Sequence, residues 1–249
     1  MARPDEDALK LLVARLATTP QGKPTGYVCG QVRFERSDGT NQEGLYWRFE
    51  MWIRSLESRL RSITAGNGAI YAVPRDRYVE LDPLLGPDIV LPFTTVKAGA
   101  AALYEPRARA TEQMVPTNEG EFNRKRRMMT RSWPALLKAG MLNFRGYSPS
   151  YAWMIVSHRL LRYLSPFLHL LALAVNVALV ALYGEPLYWI TLALQLALIL
   201  AAVLGNFVRF KPLLIANYYV GTTAALALGL WDWLRHGTQL GWEAAEGTR

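Results

Sequence analysis

Residues 64–92 read TAGNGAIYAVPRDRYVELDPLLGPDIVLP, and the parts of this stretch look like pieces of one site. A glycine loop, Gly66-Asn67-Gly68, runs into an apolar strand, and Asp88 follows a polar turn, directly before a second apolar run. Glycines let the backbone approach a ligand closely. A carboxylate at the edge of an apolar segment is a candidate general base, because desolvation raises its pKa. The plainer interpretations are a turn before an edge strand and a helix N-cap at Asp88.

The chain of 249 residues has two unlike parts. Residues 1–150 carry a net charge of +6 and residues 151–249 a net charge of +2 with long apolar runs, so we expect a soluble basic domain followed by a membrane region. The single cysteine, Cys29, excludes an internal disulfide and a cysteine metal cage, and is predicted to be a small buried strand residue. His158 and His169 are eleven residues apart, about 16 Å along a helix, and cannot share one metal ion.

Hydrophobic periodicity outlines an α/β domain in the first part. The predicted elements are a helix at residues 8–16, strands at 27–35 and 69–73, a helix at 43–61, and a helix end, turn and strand within 97–112. The helix at 43–61 has apolar residues at spacings of three and four, which form one apolar helical face: Leu45, Phe49, Trp52, Ile53, Leu56 and Leu60. Its tryptophans fit a protein core, and with their arginine neighbours they also fit a helix near lipid headgroups.

A basic run lies within residues 119–133, where five of the eight residues from Arg124 to Arg131 are Lys or Arg. Such a run is typical of a solvated helix face. Two other interpretations are the clamping of a diphosphate by arginine side chains and attraction to an anionic membrane leaflet. Nucleic acid is disfavoured, because no groove-reading or base-stacking residues accompany the charges.

Three uncharged segments of about 20 residues, at 164–182, 187–208 and 212–231, predict membrane-spanning helices. The N-terminus has no apolar core of a signal peptide. Basic residues at 159, 162, 209 and 211 favour a hairpin whose turn at Glu185 lies outside, and a third span would leave the C-terminus outside. We therefore expect a multi-pass protein of the inner cell membrane. The expected organisation is a cytoplasmic domain at residues 1–135, an interfacial amphipathic region at 136–163, three spans within 164–235, and a tail at 236–249.

Six ordered segments carry a resemblance to a known family: residues 43–50 (EGLYWRFE), 53–58 (IRSLES), 66–73 (GNGAIYAV), 87–92 (PDIVLP), 104–112 (YEPRARATE) and 121–127 (EFNRKRR). Followed by apolar helices, this series resembles the C-terminal half of a membrane-bound family 2 glycosyltransferase of the processive, cellulose- or hyaluronan-synthase-like kind. The resemblance implies the C-terminal half of a GT-A domain of α/β class, followed by a helical transmembrane region. It also implies inverting transfer of a sugar from a nucleotide sugar to a cell-surface or polysaccharide acceptor.

The resemblance implies roles for individual residues. Asp88 matches the family's catalytic base, the last acid of its TED motif, and the loop Gly66-Asn67-Gly68 matches a loop that lies near the acceptor. Arg124 and Arg127 match the QxxRW-like basic motif near the nucleotide diphosphate, and Trp133 is expected at the acceptor entrance. The motif differs here, because Arg124 occupies the usual glutamine position and Met128 the usual tryptophan position.

The resemblance also implies a part that this sequence does not match: the donor-binding half, with a DxD that holds Mg²⁺ or Mn²⁺. Asp5 and Asp7 fit that spacing, but no apolar strand precedes them, so we interpret them as helix capping. We expect a partner chain or a longer protein to supply this half, and the 249 residues alone not to turn over nucleotide sugar. Expected partners are the donor, a glycan or lipid-linked acceptor, and membrane lipid. The competing hypothesis is a non-catalytic membrane protein whose basic domain docks a partner or anionic lipid.

Overall fold

The computed structural model describes residues 2–35, 45–113 and 118–238. The elements follow in this order: β1 (Arg3–Pro4), α1 (Ala8–Leu16), β2 (Thr25–Glu35), α2 (Leu45–Leu60), β3 (Tyr71–Ala72), α3 (Pro87–Lys97), β4 (Ala101–Gln113), α4 (Asn118–Leu137), α5 (Pro149–Met154), a π-helical segment (Ile155–Leu160), α6 (Leu161–Tyr183), α7 (Pro186–Leu204) and α8 (Lys211–His236). Most of the predicted tail, residues 239–249, lies outside the described residues.

The strands form one mixed sheet in the order β1-β4-β2-β3. The central pair, β2 and β4, is parallel, and the two flanking strands pair antiparallel with it. β2 is buried from Thr25 to Gly30, as expected for a parallel strand that is covered on both faces. The prediction of strands at 27–35 and within 97–112 is confirmed, whereas the strand predicted at 69–73 is reduced to two residues.

Side chains of the central strands alternate between two cores, because successive residues of a strand point to opposite faces. Val28 and Leu103 pack against α1 on one face. Tyr27 and Tyr104 lie on the other face, in a core that extends through α3 and α4 as far as Leu226 of α8. Cys29 also lies in this second core and is fully buried, as predicted. The sheet and the apolar helices therefore share one continuous core.

The predicted helix at 43–61 is confirmed as α2, and the apolar face of this helix is not its most buried face. The Leu45 side chain lies outside the described residues, and Ile53 and Leu56 are half-buried. Phe49, Trp52 and Leu60 are each at least half exposed. The buried face instead carries polar and charged side chains at helical spacing, together with Met51: Glu50, Arg54, Glu57 and Ser58. The two glutamates can be buried because their partners come from a segment about 100 residues further along the chain, as described below.

The C-terminal half is helical. Three helices are long and apolar enough to cross a membrane by length and composition: Pro149–Tyr183, Pro186–Leu204 and Lys211–His236. The first is a continuous helix of 35 residues, formed by α5, the π-helical segment and α6. The chain between α4 and α5 forms turns, so the predicted interfacial region at 136–163 begins in the last two residues of α4, continues as a loop and ends inside this long helix.

Candidate active site

Asp88 lies in the first turn of α3. The helix begins at Pro87 and its N-cap is Gly86, so Asp88 is a helical residue rather than the cap itself. Burial raises the pKa of the Asp88 carboxyl above its ordinary value, and the N–H groups of Asp88 and Ile89 and the charges of Arg54 and Arg159 offset only part of that rise. The residue as a whole is half-buried. Asp88 is therefore a carboxyl with increased basicity on a residue that is not fully enclosed.

The glycine loop is fixed directly to this helix. The Gly66 N–H donates to the Asp88 carbonyl over 2.7 Å, and the Gly66 carbonyl accepts from the Arg54 guanidinium over 2.9 Å. A Cβ at Gly66 would lie 2.1 Å from the Tyr27 hydroxyl, whereas a Cβ at Gly68 would meet no atom within 4 Å. Close approach thus requires glycine at position 66, and position 68 faces open space.

Asn67 has a structural task within the loop. Its side-chain amide donates to the Gly30 carbonyl, and its side-chain oxygen accepts from the Ile70 N–H over 2.9 Å. The residue is buried. Asn67 therefore ties the loop to β2 and fixes the positions of its two glycine neighbours.

Sequence reasoning missed Arg54 and Tyr27 as neighbours of this loop. Arg54 is 6% exposed, and its guanidinium lies over the Tyr104 ring at 5.7 Å from the centroid. Arg54 Nε and the Tyr27 hydroxyl are buried without a hydrogen-bond partner among the described residues. Burial, followed by the nearby Cys29 and Asp88, raises the pKa of Tyr27 well above its ordinary value. A buried cation, Arg54, and a neutral phenol, Tyr27, therefore lie directly behind the glycine loop.

A buried charged cluster connects the loop to the first apolar helix. We use this name for Glu50, Glu57, Thr64, His158, Arg159 and Arg162. Glu57 accepts from the Thr64 N–H over 3.0 Å and from the Thr64 hydroxyl over 2.9 Å. His158 Nδ1 lies 2.7 Å from Glu57, and Arg159 Nε donates to the Thr64 hydroxyl over 2.8 Å. The long helix is therefore bonded to a residue only two positions before Gly66.

The second half of the cluster surrounds Glu50. Its carboxylate accepts from Arg162 over 2.8 Å and from the Tyr46 hydroxyl over 2.9 Å, and His158 Nε2 lies 3.6 Å away. Burial acts to raise the pKa values of Glu50 and Glu57, but the hydrogen bond to His158 and the neighbouring arginine charges outweigh it. Both pKa values lie below the ordinary value. Both glutamates are therefore ionised and compensated inside the protein.

Helix α4 approaches the site through its last turns. A cavity of about 10 Å³, the size of a single water site, is lined by Ile89, Ser132, Leu136, Met141, Arg159 and Tyr163. Arg124 and Arg127 lie eight and five residues before Ser132, about 12 and 8 Å along the helix. Arg127 is exposed and Arg124 is half-buried beside Met128. The structure thus brings Asp88 to the loop and its neighbour Ile89 to the end of α4, and leaves these two arginines in an earlier part of that helix.

Trp133 is an interior residue. It is 2% exposed, its indole N–H donates to the Leu226 carbonyl over 2.9 Å, and its ring meets Tyr163 edge-on at 5.0 Å. The side chain that sequence reasoning expected at the acceptor entrance therefore connects α4 to α6 and α8.

A divalent metal is implied by the resemblance, so we considered which side chains could hold one. Within residues 2–35, 45–113 and 118–238, no group of three His, Cys, Asp or Glu side chains is arranged to hold a metal ion. Asp7 takes the N-cap position of α1, as the capping interpretation expects, although it makes no side-chain capping hydrogen bond. The described residues therefore do not fit a metal centre.

Comparison with known proteins gives a structural match. No protein-family model matches the sequence, and no curated protein matches it. The fold is similar to the solved structure of mannosyltransferase PcManGT from Pyrobaculum calidifontis in complex with GDP-Man and Mn²⁺, with a TM-score of 0.61 and 18% sequence identity. The match covers 94% of this chain and 59% of that chain, so this chain spans about three-fifths of the length of its structural neighbour. The mixed α/β sheet with its helices therefore resembles a glycosyltransferase fold.

Proposed function

We propose that this chain takes part in inverting glycosyl transfer from a nucleotide sugar to an acceptor at the membrane, with Asp88 as the general base. One observation carries the proposal: in a fold similar to that of a mannosyltransferase, a carboxyl with a raised pKa lies in the first turn of α3, bonded to a glycine loop. The sequence resemblance to processive family 2 glycosyltransferases supports the same assignment, because Asp88 is the residue that it marks as the base.

In the proposed step, the ionised Asp88 removes the proton of an acceptor hydroxyl as that oxygen attacks the anomeric carbon. The bond from this carbon to the diphosphate breaks, the nucleotide diphosphate leaves with the electron pair, and the configuration inverts. A raised pKa makes Asp88 the stronger base. Arg54 and Arg159 lower that pKa again, and so limit the pH that is needed to ionise the carboxyl.

The other residues receive roles that fit their surroundings. We assign the acceptor to the open side of the loop, where Gly68 is exposed and Asn67 holds the backbone. Arg124 and Arg127 are proposed to meet the diphosphate, which would extend from the end of α4 toward its middle. Trp133 is proposed to support the acceptor site from behind, because its ring is buried.

The donor side of the reaction needs groups beyond those described. When a divalent metal is bound, it supplies charge stabilisation to the leaving diphosphate. The described residues offer no group of three metal-ligating side chains, so we assign no step in this chain to a metal. We propose that a partner chain or further sequence holds the nucleotide and its metal ion, which fits a chain that spans 59% of the length of its structural neighbour.

The test is a substitution made in the source cell, where every other component of the reaction is present. Membranes from cells that carry Asp88→Asn are incubated with GDP- and UDP-sugars labelled in the sugar, and the label in the lipid and polymer fractions is counted. We expect transfer to fall about 10²- to 10⁴-fold, the usual contribution of a general base. The matched control is Asp76→Asn, whose side chain is 78% exposed, and it should retain normal transfer.

The result separates the two functional hypotheses. Full transfer by the Asp88→Asn membranes, with the variant chain present at normal abundance, would overturn the assignment. The non-catalytic docking protein would then be the better description, because docking requires no carboxylate beside the glycine loop.

A further inference from the structure

Helix α8 contacts both the hairpin of α6 and α7 and the basic helix α4. α6 and α7 contact each other well inside their hairpin, where the Asn176 amide donates to Gln195 and the Thr191 hydroxyl donates to Asn176, each over 3.0 Å. Helix α8 contacts this hairpin in the half nearer the sheet, where the Tyr219 ring lies 5.7 Å from the His169 ring of α6. The Asn217 amide donates to the carbonyl of Ala202, three residues before the end of α7, over 2.8 Å.

Two distant points of α8 lie at this same end of the hairpin. Leu213 packs against Gly205, the C-cap of α7. Leu226 accepts a hydrogen bond from Trp133, whose ring contacts Tyr163 in the first turn of α6. Thirteen residues of helix separate Leu213 from Leu226, a length of about 20 Å. A helix running alongside the hairpin would move about 20 Å deeper over that length, so α8 lies across the end of the hairpin instead.

The neighbour on the other side of α8 is the basic helix α4. Lys125 Nζ lies 3.6 Å from the centroid of the Tyr218 ring and 3.1 Å from the Thr222 hydroxyl. At the far end of the contact, Lys138 Nζ lies 5.1 Å from the Trp233 ring. The two helices are thus in contact over this length, with Met129 against Gly229 between these ends. We call this arrangement the α4–α8 contact.

The charges of α4 determine the depth of both helices. Its residues 124–131 include five cations, and Arg127 is exposed. A lysine or arginine at the centre of a bilayer costs about 2.5 to 3.5 kcal/mol even on the mildest scale. Helix α8 contains Asp232, which accepts two hydrogen bonds from Arg126 over 2.6 and 2.7 Å. A full crossing by α8 would carry this charged assembly into the hydrocarbon.

We infer that α8 lies on the membrane surface as an interfacial helix, that the chain crosses the bilayer twice, and that the end of α8 is on the same side as the sheet. The proposed partner of its outer face is the bilayer surface itself. That face exposes Leu228, Trp231 and Leu234, which recur every third residue along the second half of the helix, and the helix has Lys211 at one end and Arg235 near the other. Apolar and aromatic side chains flanked by cations are typical of interfacial helices. This inference replaces the third span that hydropathy predicts.

Sidedness of single cysteines tests the inference. Cysteine is introduced at three exposed or partly exposed positions of the full chain: Glu80→Cys on the sheet domain, Glu185→Cys at the hairpin turn, and Thr238→Cys beyond α8. The wild-type chain is the blank, because its only cysteine, Cys29, is fully buried. Sealed vesicles of known orientation are treated with a membrane-impermeant maleimide. The labelling of each cysteine is expressed as a fraction of its labelling in permeabilised vesicles.

If the chain crosses the bilayer twice, Thr238→Cys and Glu80→Cys are both labelled or both protected. Glu185→Cys then gives the opposite result. Labelling of Thr238→Cys together with Glu185→Cys would establish a third crossing and overturn the inference. If position 238 reacts poorly even in permeabilised vesicles, a tag that carries a cysteine is fused after Arg249 and its labelling is measured in the same way. The test requires no sugar transfer, so its result is independent of the proposed function.

Discussion

Two contacts join the sheet domain to the apolar helices, and they differ in how they handle charge. The buried charged cluster joins α2 to the long helix, and its glutamates are each less than a tenth exposed. The α4–α8 contact combines Met129 against Gly229 with two lysines over aromatic rings, and its ion pair, Arg126–Asp232, lies at the rim. There the arginine side chain is 38% exposed and the aspartate 22%. The first contact buries charge at the joint, and the second leaves it in partial contact with solvent.

This difference indicates which contact the fold depends on. Removing one partner of a buried ion pair leaves an uncompensated charge in a medium of low dielectric constant, which is costly. An exposed pair has water and salt as substitutes for a lost partner. We therefore expect charge substitutions to matter in the buried charged cluster and packing substitutions to matter in the α4–α8 contact.

The largest expected effect is from Glu57→Gln. The variant keeps the shape of the side chain but removes the negative charge that faces His158 and Arg159. We expect the free energy of unfolding to fall by about 3–5 kcal/mol. The measurement is denaturant unfolding of the detergent-solubilised protein. Glu80→Gln, at an exposed position, is the control, and equal effects of the two substitutions would contradict a structural role for the cluster.

The second-largest effect is expected from acid, which should weaken the buried charged cluster. Folding holds the pKa values of Glu50 and Glu57 below their ordinary value of 4.5, so their ionised forms add stability above that pH. This added stability is lost as the pH falls below 4.5 toward the folded-state pKa values, by up to about 1.4 kcal/mol per pH unit for each carboxyl. Unfolding is measured between pH 3 and pH 6, a range of roughly three units. The slope should be smaller in Glu57→Gln, and an unchanged slope would exclude Glu57 as a source.

A packing substitution tests the α4–α8 contact. In Gly229→Ala the new Cβ would lie 2.4 Å from Met129 Cβ, and we expect a loss of about 1–3 kcal/mol from overpacking. The matched control in the same helix is Gly221→Ala, whose Cβ would meet no atom within 4 Å. It should gain up to about 1 kcal/mol from helix propensity. Unfolding of the two variants under identical conditions should thus change in opposite directions, and changes in the same direction would disprove close packing at Gly229.

The smallest expected effect is from Asp232→Asn, which removes the partly exposed ion pair. We expect a loss of at most about 1 kcal/mol at low salt, falling further as the salt concentration rises. Unfolding is compared at about 0.02 M and 0.5 M sodium chloride, well below and above the salt range in which screening sets in. A loss as large as that of Glu57→Gln would mean that the two contacts do not differ in kind.

Much of the fold could be predicted from short-range sequence patterns. The bounds of α1 were predicted to the residue and those of α2 within two residues, and the hydropathy segments identified all three apolar helices. The expectation that the glycine loop and Asp88 belong together also agrees with the structure, which joins Gly66 to Asp88 by a backbone hydrogen bond. These features depend on residues that are close in sequence, where periodicity and glycine placement are informative.

The buried face of α2 could not be predicted in the same way. Phe49, Trp52 and Leu60 recur at helical spacing, but so do Glu50, Arg54 and Glu57. The choice between these two faces depends on His158, Arg159 and Arg162, which are about 100 residues away. The sequence did contain one signal for this contact. Two glutamates lie seven residues apart on one helix, and cations lie in the turns before an apolar helix.

Hydropathy also could not predict how deeply α8 enters the membrane. A window of apolar residues shows that a helix can enter hydrocarbon, but it does not show whether a charged neighbour lies beside that helix. Trp133, taken as an acceptor contact from its place in a motif, is the residue whose hydrogen bond to Leu226 connects α4 with α8. Its burial depends on a helix that follows it by more than 70 residues.

The continuity of the helix from Pro149 to Tyr183 has a mechanical consequence. Its length is about 52 Å at 1.5 Å per residue, so one rigid rod extends from the sheet domain through the hairpin. A thicker or thinner bilayer changes the tilt of such a rod to relieve hydrophobic mismatch. The π-helical segment, Ile155–Leu160, is where that rotation is either absorbed or passed through Arg159 to Thr64, two residues from the glycine loop. Which of the two occurs decides whether a change of tilt reaches the loop beside Asp88.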